Sequence, residues 1–271
     1  MSEVTPQDVE TALRTGAVDD YCLAAALTMY LFDRCLCVDQ EIACIWRRRH
    51  SIPSVVYILL HSVTISNLGL LVIQNFLNMD CSVAWPEYIV AMAVGGLYYL
   101  TLAIISSLRV YAISLGYGTP SLRLVVSLVV FALSLGQVAY RIFYSVTLIA
   151  FPAPLVGCEI GSVVDYGTSY IIAQVASIAA DAIILIVTWC RSFRAMQLAR
   201  AMSVPAPLYT LLLRDGTIHF GLLAIFNLLS AAFYRSNILL GFFYLATVFV
   251  YSLLNHSSRF FCSHFLTALQ P

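Results

Sequence analysis

The stretch WPEYIVAMAVGGLYYLTLAIISSLRVYAI, residues 85–113, runs from Glu87 to Arg109 without a charged side chain. A helix of about 20 apolar residues spans the hydrocarbon of a bilayer, and this segment exceeds that length. Six more segments resemble it, at 18–38, 53–77, 122–150, 166–190, 208–234 and 238–254. Hydrophobic residues make up 61% of the 271 and charged residues 10%, against about 25% charged in soluble domains. The expected fold is therefore all-α, a polytopic membrane protein built as a seven-transmembrane-helix bundle. It forms one domain, 18–257, with a short outer tail at 1–17 and a cytosolic tail at 258–271.

Every basic side chain is an arginine. Arg47, Arg48 and Arg49 follow the first segment, Arg109 and Arg123 flank the third connection, and Arg191, Arg194 and Arg200 occupy the fifth. Arg259 follows the last segment. The alternate connections hold Asp19, Asp20, Asp80, Glu87, Glu159 and Asp165. Basic loops stay in the cytosol, so the N-terminus is expected outside or in a lumen and the C-terminus in the cytosol. The plasma membrane and the endoplasmic reticulum both fit. The first twenty residues are polar and acidic, so the first helix is expected to act as the insertion signal. The arginines either set topology alone or also dock a cytosolic protein or anionic lipid. Zero net charge, with arginines spread along one face, argues against nucleic acid as a partner.

Ionisable groups inside a membrane are costly and mark function or helix pairing. Asp33 and Asp181 lie roughly 20 Å below the outer surface at 1.5 Å per residue. His61, Asp215 and His219 lie toward the cytosolic ends of their helices. Asp33, Cys37 and Glu41 share a face at i, i+4 and i+8, and Asp215 and His219 are also four apart. A carboxylate beside an imidazole orients the ring and serves as a general acid or proton relay, or locks two helices together. Both readings stand. Asp33, Asp181, Asp215 and His219 are the candidate catalytic groups should the chain be an enzyme.

The outer half is aromatic. Tyr98, Tyr99, Tyr140 and Tyr144 accompany Arg141 there, and Asn67 and Asn227 lie at mid-depth. A largely apolar cavity with a few polar anchors suits a lipophilic small molecule. Arg141 is expected to snorkel to the surface or to meet an acid, Glu87 or Glu159. Gly95, Gly96 and Gly136 would allow helix backbones to approach closely. Of the eight cysteines, Cys81 and Cys158 fall in the two longer outer loops, where a disulfide would tie a loop over the bundle mouth. Spacing alone does not establish that pairing. No clustered ligand set points to a metal, and no cofactor is implied; without a lysine there is no Schiff base for retinal.

The run FDRCLCVDQEIACIWRRR from Phe32 carries Asp33, Glu41 and Trp46. It resembles the opening signature of a seven-helix family of unknown function abundant in mushroom-forming fungi. Leu108–Ala112, Leu213–Thr217 with Phe220 and Asn227, and Ser258-Arg259-Phe260 are similar to further motifs of that family. His61-Ser62 stands where the family often has Arg-Tyr. The resemblance implies a fold and topology and no established activity. Two functions are expected to compete. One is a receptor-like protein that binds a lipophilic small molecule within the bundle. The other is a membrane enzyme of the acid-initiated terpenoid or meroterpenoid cyclase type, in a fungal secondary-metabolite pathway.

Overall fold

The computed structural model describes residues 6–42, 52–77, 79–114, 119–153, 157–162, 164 and 167–201, and then 221, 224, 225, 227–229 and 232. In chain order these form α1 (Pro6–Glu41), α2 (Ile52–Phe76), α3 (Cys81–Ile113), α4 (Pro120–Val146), β1 (Leu148–Ala153), β2 (Gly157–Ser162) and α5 (Gly167–Ala201). The expected seventh segment, and all but a few positions of the sixth, lie outside the described residues.

Each helix starts where local chemistry allows. Pro6 opens α1 and Pro120 opens α4, positions where the missing amide hydrogen costs nothing. α1 has 36 residues, about 54 Å at the helical rise. It begins well before residue 18 because only Gly16 interrupts a run without further proline. The hydrocarbon is about 30 Å thick, so α1 is longer than a single perpendicular crossing needs. Among the described residues four helices are long and apolar enough to cross a membrane, at Val55–Phe76, Cys81–Ile113, Pro120–Val146 and Gly167–Arg191.

The expectation of helix to residue 150 is corrected. α4 stops at Val146, and Thr147 caps it by donating its amide and its hydroxyl to the Tyr144 carbonyl. The chain then turns into an antiparallel hairpin, with Leu148 opposite Ser162 and Pro152 opposite Cys158. Prolines 152 and 154 forbid a continuing helix and push their predecessors to extended backbone. The β-branched and aromatic residues Thr147, Ile149 and Phe151 suit a strand. The described fold is thus mostly helical with one two-stranded sheet, and not all-α. Ser162 donates to the Thr147 hydroxyl at 2.9 Å and closes the base of the hairpin.

α3 is the central element. It packs antiparallel along α2 and α4, and it touches α5 and both strands. Leu60 and Val63 of α2 bury against Tyr98. Val110, Val130, Ala180 and Ile184 join α3, α4 and α5 in a second cluster toward the other end. Gly136 brings α4 close to α5, since a Cβ there would sit 3.4 Å from that of Ala176. The outer surface is apolar: Ile142, Ile172 and Ile186 are each more than 60% exposed. The interior holds His61, Thr64, Asn67, Thr101, Gln137, Gln174 and Thr188, all buried. Greasy outside and polar inside inverts the order of a water-soluble domain and fits a lipid surround.

A candidate polar and aromatic interior site

The residues singled out by sequence separate into distinct groups. The largest spans α3, α4 and α5 in the half of the bundle nearest the hairpin. Gln137 donates to Gln174 at 2.7 Å, and Gln174 donates to the Tyr170 hydroxyl at 2.9 Å. Tyr140 stacks on Tyr144 at 6.0 Å and meets Tyr170 edge-on at 5.5 Å. Each amide has a partner, as buried amides must within hydrocarbon.

On the neighbouring face of α4, Arg141 reaches α3. Its guanidinium lies 5.2 Å from the centre of the Tyr99 ring, and Nη1 contacts the Met92 sulfur at 3.7 Å. A Cβ on Gly95 would come within 2.6 Å of Nη1. The vacancy left by glycine is filled by the arginine head, so Gly95 accommodates a side chain where a close backbone approach was expected. Tyr99 in turn meets Tyr98 edge-on at 5.4 Å. The guanidinium thus lies against α3 beside Gly95, Met92 and Tyr99. Glu87, one of the acids expected near it, interacts with Gln74, and its Oε1 is buried without a hydrogen-bond partner among the described residues. The side chain of Glu159 lies outside them. Asn67 is buried on α2, one turn beyond Val63.

The hairpin packs against α3 at this end. Cys158 of β2 is disulfide-bonded to Cys81 at the start of α3, with Cα atoms 5.0 Å apart.

Asp181 and Asn227 form a separate pair. Asn227 Nδ2 donates to Asp181 Oδ2 at 2.8 Å and links α5 to the helical positions beyond residue 220. Asn227, expected at mid-depth, thus serves the Asp181 carboxylate.

A further cluster had only partial warning in the sequence. Tyr30 and Arg34 are four apart on α1, and Tyr57 and His61 are four apart on α2. The antiparallel pairing of the two helices sets these pairs face to face. Arg34 Nη1 donates to the Tyr57 hydroxyl at 2.9 Å and lies 3.2 Å from His61 Nε2. A guanidinium can only donate, so Nε2 accepts and the ring proton sits on Nδ1, 3.3 Å from the Tyr30 hydroxyl. Two matching i, i+4 pairs are the signal the sequence offers; of the four residues, His61 alone is singled out by sequence. The side chains of Asp33, Cys37 and Glu41, and all of Arg214, Asp215 and His219, lie outside the described residues. Among the described residues no group of three His, Cys, Asp or Glu side chains is arranged to hold a metal.

A family of unknown function, DUF6533, matches residues 21–65. The matched segment takes in most of α1 and the first half of α2, and so includes Tyr30, Arg34, Tyr57 and His61. No curated protein and no solved structure matches the chain.

Proposed function

We propose that this is a receptor-like integral membrane protein that holds a lipophilic small molecule within its bundle, beneath the hairpin. The observation that carries the reading is the layer of Tyr98, Tyr99, Tyr140, Tyr144, Tyr170, Gln137, Gln174 and Arg141, set under a disulfide-tethered cap. Aromatic walls with a few fixed polar groups are what recognises such a ligand. The hairpin end faces the outside or a lumen, in the plasma membrane or the endoplasmic reticulum. Two facts support that orientation. Disulfides persist in oxidising compartments, and Arg109, Arg123, Arg191 and Arg194 all lie toward the other end. A cytosolic protein would meet those arginines.

The test is extraction. The purified protein, denatured in organic solvent and analysed by mass spectrometry, should release a stoichiometric lipophile. Tyr140→Ala and Tyr144→Ala should release less. Recovery of bulk phospholipid alone from both would end the proposal.

A second reading, an acid-initiated membrane cyclase, draws on Asp181, whose carboxyl is oriented by Asn227 inside the bundle. An Asp181→Asn protein that folds but forms no product in the producing cell would favour the enzyme. Unchanged product would remove that reading.

A further inference from the structure

We infer that Gln74 and Glu87, at the hairpin end of the α2–α3 contact, bind the hydroxyl group of a membrane-dissolved alcohol. The site shares no residue with the tyrosine layer and does not rest on the reading above.

Three observations carry it. First, the two side chains interact across the helices, yet Gln74 Nε2 and Glu87 Oε1 are both buried without a hydrogen-bond partner among the described residues. Both belong to segments long and apolar enough to cross a membrane. An unmet donor and an unmet acceptor are costly in such surroundings, because lipid supplies neither. Second, the pair selects the group that meets it. An ammonium only donates and would leave the amide unmet. A carboxylate ligand only accepts, and Glu87 would repel it. A hydroxyl does both: its hydrogen goes to Oε1 and its oxygen accepts from Nε2. Water brings a second hydrogen, and no further unmet acceptor adjoins the pair among the described residues. In an alcohol, carbon takes that place. Third, the rim suits a hydrocarbon chain. Val83 lies four residues before Glu87 and Val90 three after it, on the same side of α3, and Leu97 follows Val90 by two turns. All three are exposed. Gln74 and Glu87 are themselves only half-buried, so the unmet atoms lie just beneath this membrane-facing surface.

Three probes share one chain and differ at the head: hexadecanol, its methyl ether and hexadecylamine. Binding is measured on the full chain in uncharged detergent, by equilibrium retention of the radiolabelled probe. The parent protein should retain hexadecanol about ten-fold better than the ether, as expected for one hydrogen bond to a charged group. Glu87→Leu should abolish that preference, and Gln74→Leu should weaken hexadecanol without removing the preference. Glu87→Gln keeps an acceptor and should restore part of what Glu87→Leu loses. Should Glu87→Leu fail to fold, Gln74→Leu and Glu87→Gln carry the test, each with weaker hexadecanol retention than the parent. Equal retention of alcohol and ether by the parent means that water alone fills the gap, and it overturns the inference. So does stronger retention of the amine, which would mark a cation site. Failure to retain any of the three probes, or hexadecanol retention unchanged in all the variants, overturns it as well. None of these outcomes bears on the tyrosine layer, whose own variants are read by extraction.

Discussion

Gly95 and Arg141 share one space across the α3–α4 contact: the Cβ that any other residue would carry at 95 falls 2.6 Å from the guanidinium Nη1. Gly96, the next residue, has nothing within 4 Å of its virtual Cβ. The two glycines look alike in sequence and behave oppositely in packing.

Gly95→Ala should therefore push the Arg141 guanidinium, the far end of a flexible side chain, out of its place and forgo at least part of the gain that alanine otherwise brings to a helix. Gly96→Ala should be neutral or slightly stabilising, since alanine is favoured over glycine in a helix by about 0.5–1 kcal/mol. Thermal unfolding of both variants in detergent checks this. Equal behaviour would show that the guanidinium does not occupy that recess.

The Gln137–Gln174 contact predicts a coupled pair. Leucine at either position takes this contact from the other amide and should lower stability by about 0.6–2 kcal/mol. Leucine at both should cost less than the sum of the singles, because the orphaned amide is then absent. A double-mutant cycle on unfolding free energy reads the difference.

His61 bridges two helices. Replacement by leucine removes the acceptor for Arg34 and the neighbour of the Tyr30 hydroxyl, both at the α1–α2 contact. A loss of about 1–3 kcal/mol is expected for removing both contacts from this cluster. Protease accessibility of α1 in detergent should rise with it. Tyr30→Phe should have little further effect in the His61→Leu background and a clear effect alone.

Cys81 and Cys158 close 77 residues of chain. Cys81→Ser should lower the melting temperature under non-reducing conditions and abolish its sensitivity to dithiothreitol. Chain entropy alone suggests at most about 4–5 kcal/mol for such a loop, and helices already confined by a bilayer should bring it lower. Maleimide labelling of denatured protein should count two more thiols after reduction of the parent. No change on reduction would mean that the pair is not bonded in the cell.

Much of the scaffold was legible beforehand. The second and third apolar segments appear as helices within a few residues of their expected ends, and the fifth starts as expected but runs eleven residues further, to Ala201. Length and apolarity are local properties, and a helix in lipid satisfies its backbone within itself. The hairpin after α4 was not anticipated, although Pro152 and Pro154 marked it, because an apolar run suits a short buried strand as well as a helix. Arg141 stood out in the sequence, but what it would meet was not legible. That depended on the packing of α4 against α3 and on a glycine 46 positions earlier in the chain.

Composition and hydropathy are enough to mark helices long and apolar enough to cross a membrane, because solvation by lipid acts on each segment separately. They also single out which side chains are expensive inside it. Which of those side chains meet is another matter. Gly95 with Arg141, Asp181 with Asn227, and Tyr30 and Arg34 with His61 are set by helix direction, register and facing across the bundle. Those depend on packing between segments distant in sequence, where a shift of one residue turns a side chain by about 100° around its helix and parts the pair.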